Sequence, residues 1–194
     1  IDKLIEKARV EVDSRHAGKP LEERERIATQ IAVGALRFFL LKFTRNTVIA
    51  FDLQEALNFD GETGPYVQYA AVRARNILKK LEERGEVLPE FSAVLDAEKM
   101  GRQLEAEDFW QLLLAASKSG KALESALASG EPANMSKYAF QLAQAFNAFY
   151  HDYPILAEEN PEKRTFLLWL AAYFQRQLEW TLEQVLGIPV PAYM

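Results

Sequence analysis

The chain has 194 residues, 49% of them hydrophobic, a formal net charge of −5 and no cysteine. That length and apolar content suit a globular protein with a sizeable core and exclude a disordered chain. The lack of cysteine excludes disulfides, thiolate-bound zinc and thiol nucleophiles and points to a reducing compartment, the cytoplasm.

No apolar run approaches the ~20 residues that a membrane-spanning helix needs, no signal peptide is visible, and the acidic balance by itself argues against a nucleic-acid partner, DNA included. The chain opens at Ile1 already in a helical pattern, which reads as a piece of a longer polypeptide. Charge is uneven along it: residues 33–81 carry seven basic and four acidic side chains, whereas 82–136 carry five and eleven. An anionic partner is therefore expected to meet the first stretch.

In chain order, an N-terminal approach segment leads to "LEERERIATQIAVGALRFFLLKF" (21–43), charged at first and then apolar at Ile27, Ile31, Leu36, Phe39 and Leu40. That spacing predicts a helix drawn into a core. "NTVIAFD" (46–52) reads as extended. Asp52 and Glu55 have capping-box spacing, which predicts a short helix to about residue 59. "DGETGP" (60–65) is turn chemistry, with Pro65 placed to open the next helix, which runs to about residue 84. A connector of mixed character follows (85–103). Further helices are expected at 105–117, 121–128, 132–151 and 161–186, the last with Asn160 as N-cap, Pro161 at its first position and Gly187 at its end. The fold class expected is all-α, a helical bundle, with residues 1–63 as a connector and 64–194 as the helical domain.

On a wheel of about 100° per residue, the helix after Pro65 gathers Val67, Ala70, Ala71, Ala74, Ile77, Leu78 and Leu81 on one arc. Tyr66, Tyr69, Arg73, Asn76 and Lys80 gather on another. Two aromatic planes followed by a guanidinium and an ammonium suit single-stranded nucleic acid, with bases stacked on rings and phosphates on cations. The same pattern also describes tyrosines closing a core edge beside a solvated basic stripe. Periodicity alone leaves both readings open.

"IAVGALRFFLL" (31–41), "FDLQEALNFDGETGPYVQYAAVRARNIL" (51–78), "YAFQLAQAFNAFYHDYPIL" (138–156) and "LGIPVPAYM" (186–194) resemble, in this order, the C-terminal part of arginyl-tRNA synthetases. The resemblance covers the chain from Ile27 onward and is least diagnostic over 82–131. In that family a "GALR"-like helix leaves the catalytic core and a "GPYxQYAxxR" helix opens the helical anticodon-binding domain.

The resemblance implies that Tyr66 and Tyr69 stack on or flank anticodon-loop bases, with Gln68, Arg73, Asn76 and Lys80 nearby. It further implies that Tyr138, Asn147 and Tyr150 face them from another helix and that Met194 contacts the loop. The implied partners are an arginine-accepting tRNA and the catalytic core of the same polypeptide. The parent enzyme would use ATP and Mg²⁺, and this chain would hold no cofactor and catalyse nothing by itself. A synthetase of another specificity, such as a cysteinyl one, and a non-catalytic paralogue are the alternatives.

Other motifs carry less. "NMSKY" (134–138) imitates a synthetase ATP loop but lies downstream of the anticodon motif. "SKSGKAL" (117–123) lacks the first glycine and the hydroxyl of a phosphate-binding loop. His16 and His151 are the only histidines, which makes a transition-metal site improbable.

Overall fold

A computed structural model describes residues 1–90, 92, 101–103 and 107–194. Much of the expected connector, and the start of the helix expected from residue 105, lie outside the described residues. Among the described residues, besides helical residues 101–103, the α-helices are α1 (Asp2–Arg15), α2 (Leu21–Leu41), α3 (Leu53–Ala56), α4 (Gly64–Glu83), α5 (Glu107–Ser117), α6 (Ser119–Ser129), α7 (Ala133–Asp152) and α8 (Pro161–Glu179). A π-helical turn, Trp180–Val185, continues α8. No strand is present among the described residues, so the chain is an all-α bundle.

The caps explain where helices begin. Asp52 accepts from the backbone N–H groups of Gln54 (2.7 Å) and Glu55 (3.0 Å) to open α3, and these bonds hold its carboxyl below the usual carboxylate range. Asn160 accepts from Glu162 and Lys163 to open α8, ahead of Pro161. Thr63 caps α4 by accepting from Tyr66 N–H, and its hydroxyl donates to Asn58 C=O at 2.6 Å. Three expectations change. Residues 46–52 pair with no strand, because no strand edge lies beside them; Ile49 packs on the cluster of Ala35, Phe39 and Ala56, and Val48 faces solvent. The short helix ends at Ala56. The last helix widens over its final six residues, with Leu186 N–H bonded to Thr181 C=O.

Two glycines let α2 and α4 meet backbone to backbone. A Cβ on Gly64 would lie 2.4 Å from Gly34 O, and one on Gly34 would lie 2.3 Å from Gln68 Nε2. Gln68 is completely buried at this crossing, and its Nε2 donates to Gln30 C=O (3.0 Å) and Pro189 C=O (2.8 Å). Gln68 therefore stands one turn above Gly64 on the side turned to α2, away from the arc of Tyr69 and Arg73. The sequence expectation that it lies near a ligand is corrected.

From that crossing α4 packs on α7 and α8. Val67, Ala70, Ala74, Ile77 and Leu81 meet Phe38, Phe146, Phe149, Phe166 and Phe174 in one core. Tyr138 lies on α7, the helix that faces α4, but belongs to this core: it is 6% exposed, its hydroxyl donates to Ala116 C=O at 3.0 Å, and it plays the structural part that its pattern also allowed. A second cluster joins Leu4, Ala8 and Val12 of α1 to Ile27, Ala28, Ile31 and Ala32 of α2. Lys42 ties the end of α2 to Glu55 (2.8 Å), and Arg45 reaches Glu131 (3.2 Å). Beyond Gly187, at φ +64°, the tail runs back across α4. Arg75 holds the carbonyls of Val190 and Pro191 while paired with Glu179 at 2.7 Å.

Gly64→Ala should therefore cost at least about 1–3 kcal/mol, because backbone cannot yield as a side-chain tip does. Gln68→Leu should cost about 1–3 kcal/mol by leaving a buried carbonyl unpaired. Each kcal/mol lowers the melting temperature by about 2–4 °C in a chain of this size. Gly18→Ala, with open space around it, should melt like the parent.

Burial pushes the Tyr138 hydroxyl above its usual range, and it raises Tyr153 and Tyr173 as well. A raised tyrosine stabilises the fold fully below the unfolded value near 10 and loses that contribution as pH climbs past it. Melting temperature should fall above about pH 10, and less steeply in Tyr138→Phe.

Candidate nucleic-acid interface

Helical spacing places Tyr69 and Arg73 one turn apart on α4, with Asn76 and Lys80 continuing the stripe. On α7, Asn147 and Tyr150 stand three residues apart and face them. The Arg73 guanidinium lies over two rings, 4.6 Å from the Tyr69 centroid and 4.8 Å from that of Tyr150, and its Nη1 donates to Asn147 Oδ1 at 2.8 Å. Each ring is backed in turn. Phe59 meets Tyr69 edge-on at 6.4 Å with Arg15 5.3 Å from its other side, and Phe146, wholly buried, lies 6.3 Å from Tyr150. The result is a column of contacts, Arg15, Phe59, Tyr69, Arg73, Tyr150 and Phe146, from α1 to the core of α7.

Beside the column runs an open groove of about 450 Å³. Tyr69, Arg73, Asn76, Lys80 and Tyr150 line it, and Met194 closes one side. Lys80 is exposed, and among the described residues neither Lys80 nor Arg73 pairs with a carboxylate. The groove thus carries two uncompensated positive charges inside an acidic protein. The structure brings together Tyr69, Arg73, Asn76, Lys80, Tyr150 and Met194, and adds Asn147 through Arg73. It does not bring in Tyr66, whose ring packs 5.4 Å from Phe140, nor the buried Gln68 and Tyr138.

Sequence reasoning missed the opposite wall, made by residues 153–157 after α7, and the Phe59 support. Pro154, just past a helix end and before apolar Ile155 and Leu156, was the available signal for a turn forming that wall. Tyr153 is wedged there, 4.7 Å from Phe109 and 5.7 Å from Phe149, so its hydroxyl is raised by burial first and by nearby Asp108 second.

The other motifs resolve into ordinary helix. Met135 and Ser136 of "NMSKY" are buried in the first turn of α7, residues 117–123 span the junction of α5 and α6, and His151 and Asp152 are exposed at the end of α7. Among the described residues no group of three or more His, Cys, Asp or Glu could hold a metal ion, and no helix is long and apolar enough to cross a membrane.

The family described as the DALR anticodon binding domain matches residues 67–194, about two thirds of the chain and every residue that lines the groove. The chain belongs to this family. Arginine–tRNA ligase of Hyphomonas neptunium is 40% identical over 172 residues, covering 89% of this chain and 27% of that protein. Arginine–tRNA ligase of Thermococcus kodakarensis is 34% identical over 195 residues, covering all of this chain and 29% of that protein. The solved arginyl-tRNA synthetase of Thermus thermophilus superposes with a TM-score of 0.79 at 29% identity, over all of this chain and 31% of that one. This DALR domain chain therefore spans less than a third of the length of these relatives, and α1 to α3 precede the matched region while superposing with the rest.

Proposed function

We propose that this chain is the part of an arginine–tRNA ligase that holds the anticodon loop of an arginine-accepting tRNA. The observation that carries the reading is the groove itself: two ring-bearing walls and two unpaired cations within the family's matched region. Tyr69 and Tyr150 offer planes to unstacked bases, and Lys80 reaches a phosphate. Met194 and Asn76 extend the contact along the groove, and Asn147 joins it through Arg73. Tyr66, held against Phe140, contributes to packing.

Residues 1–63 are proposed as the connector to the catalytic part of the same polypeptide. Ile1, Leu36, Phe51 and Leu53 line one hollow on that side, and Ile1 and Phe51 are exposed, which supports a neighbour there. ATP and Mg²⁺ serve that catalytic part in a cytoplasmic enzyme.

Titration of the chain with an anticodon-arm RNA hairpin tests the reading. Tyr69→Ala and Tyr150→Ala should each weaken binding by about 1–3 kcal/mol with the salt dependence unchanged. Lys80→Gln should flatten the slope of log affinity against log salt by about 0.7–0.9. Tyr66→Ala should lower the melting temperature instead. Binding that survives loss of both groove tyrosines would overturn the assignment.

The full polypeptide should charge tRNA with arginine in the presence of ATP and Mg²⁺, whereas this chain alone should catalyse no arginine-dependent pyrophosphate exchange. A full-length protein that folds and binds tRNA yet never charges it would instead mark a paralogue that keeps the domain without the enzyme.

A further inference from the structure

We propose that Arg73 is a positioning residue that holds Tyr69 and Tyr150 as fixed stacking faces, and not a cation that meets phosphate. The inference rests on the proposed function, because it assigns the job each groove residue does there. The guanidinium lies over both rings, its carbon 4.6 Å from the Tyr69 centroid and 4.8 Å from that of Tyr150. Its edge is engaged as well, with Nη1 donating to Asn147 Oδ1 at 2.8 Å. That bond takes one of the five N–H groups in the guanidinium plane, leaving fewer of the paired donors through which guanidinium grips phosphate. Lys80 is the contrast: it is exposed, lies on the same groove and has no ion-pair partner among the described residues.

What the clamp supplies is order. A half-exposed tyrosine on a helix samples several side-chain rotamers, and a base that stacks on it must first select one. Here the two rings belong to different helices, and the guanidinium lies over both. Each ring has a further aromatic neighbour, Phe59 edge-on to Tyr69 and Phe146 tilted beside Tyr150. Removing the guanidinium opens the middle of the column and frees both rings. Lysine cannot replace it, because an ammonium has charge without a plane to lie on two rings while bonding an amide.

The test compares Arg73→Lys and Arg73→Gln with the parent chain. Three-bond couplings that report χ1 of Tyr69 and Tyr150 are read by NMR in the free chain, with thermal melts in parallel. Affinity for an anticodon-arm RNA hairpin is then measured across a salt series. The clamp requires single-rotamer couplings in the parent and averaged couplings in both variants. It also requires an affinity loss of about tenfold in both, in the range expected for a desolvated cation on an aromatic ring, with a salt slope less altered by Arg73→Gln than by Lys80→Gln.

Parent affinity in Arg73→Lys, or a slope flattened by Arg73→Gln as much as by Lys80→Gln, would make Arg73 a phosphate ligand and overturn the proposal. Couplings unchanged in both variants would overturn it equally. Averaged couplings with an affinity loss matched by loss of folding would leave Arg73 as a structural brace, which also overturns it. If the parent chain binds no hairpin, the proposed function fails, and the couplings alone still decide whether Arg73 orders the rings.

Discussion

The close crossing of α2 and α4 is the constraint on which the rest of the molecule depends. Backbone can touch backbone there because Gly34 and Gly64 carry no side chain, and the space between them is just enough for the Gln68 amide. That amide bonds both to α2, at Gln30, and to the tail, at Pro189. Three segments distant in sequence are joined by one side chain with both of its N–H donors engaged. The Gln68 Oε1 is buried without a hydrogen-bond partner among the described residues, so losing either donor bond would add to a cost already present, and the arrangement tolerates few alternatives. Its consequence is rotational. With Gln68 turned to α2, a helix of 3.6 residues per turn must turn Tyr69, Arg73, Asn76 and Lys80 toward the groove.

The tail shows how the same crossing reaches the groove. Gln68 and Arg75 hold the carbonyls of Pro189, Val190 and Pro191, so the chain beyond Gly187 is laid along α4. Tyr193 then meets the His16 ring at 4.5 Å, and Met194 sits between the groove and the underside of α1. A residue far along the chain thereby becomes a wall of a site whose other members come from α4 and α7. The α1–α2 hairpin, with its own apolar cluster, is fastened to the bundle partly through this contact and partly through the Arg15–Phe59–Tyr69 end of the ring column.

Electrostatics in the groove are local, not global. The chain is acidic overall, yet Arg73 is flanked by rings and an amide, and Lys80 stands in solvent without a carboxylate partner. Most other basic side chains near α4 and α8 are compensated: Arg75 by Glu179, Lys79 by Glu83, Arg164 by Glu86. At physiological ionic strength charges are screened beyond about 8 Å. An anionic ligand in the groove therefore responds to these two cations more than to the distant acidic surface.

Much of the fold was legible in the sequence, because helical period, caps and helix-ending glycines are local properties. The capping residues Asp52 and Asn160, the α4 stripe and the end of the last helix at Gly187 all follow from spacing and side-chain chemistry within a few residues. The stripe Tyr69, Arg73, Asn76 and Lys80 was readable for the same reason. Gln68 and Tyr138 were not, since whether a polar side chain on a helix faces a ligand or a neighbouring helix depends on which helices pack against it. Nor could sequence show that residues 46–52 lack a strand partner, or that Arg73 lies over two rings, Tyr69 and Tyr150, that stand 81 positions apart in the chain. The sequence by itself determined the helices and their chemistry; the packing of α4 between α2, α7 and α8 decided which of those side chains share the groove, because contact between distant segments is set by how apolar faces and glycine gaps fit together and by nothing written locally in the chain.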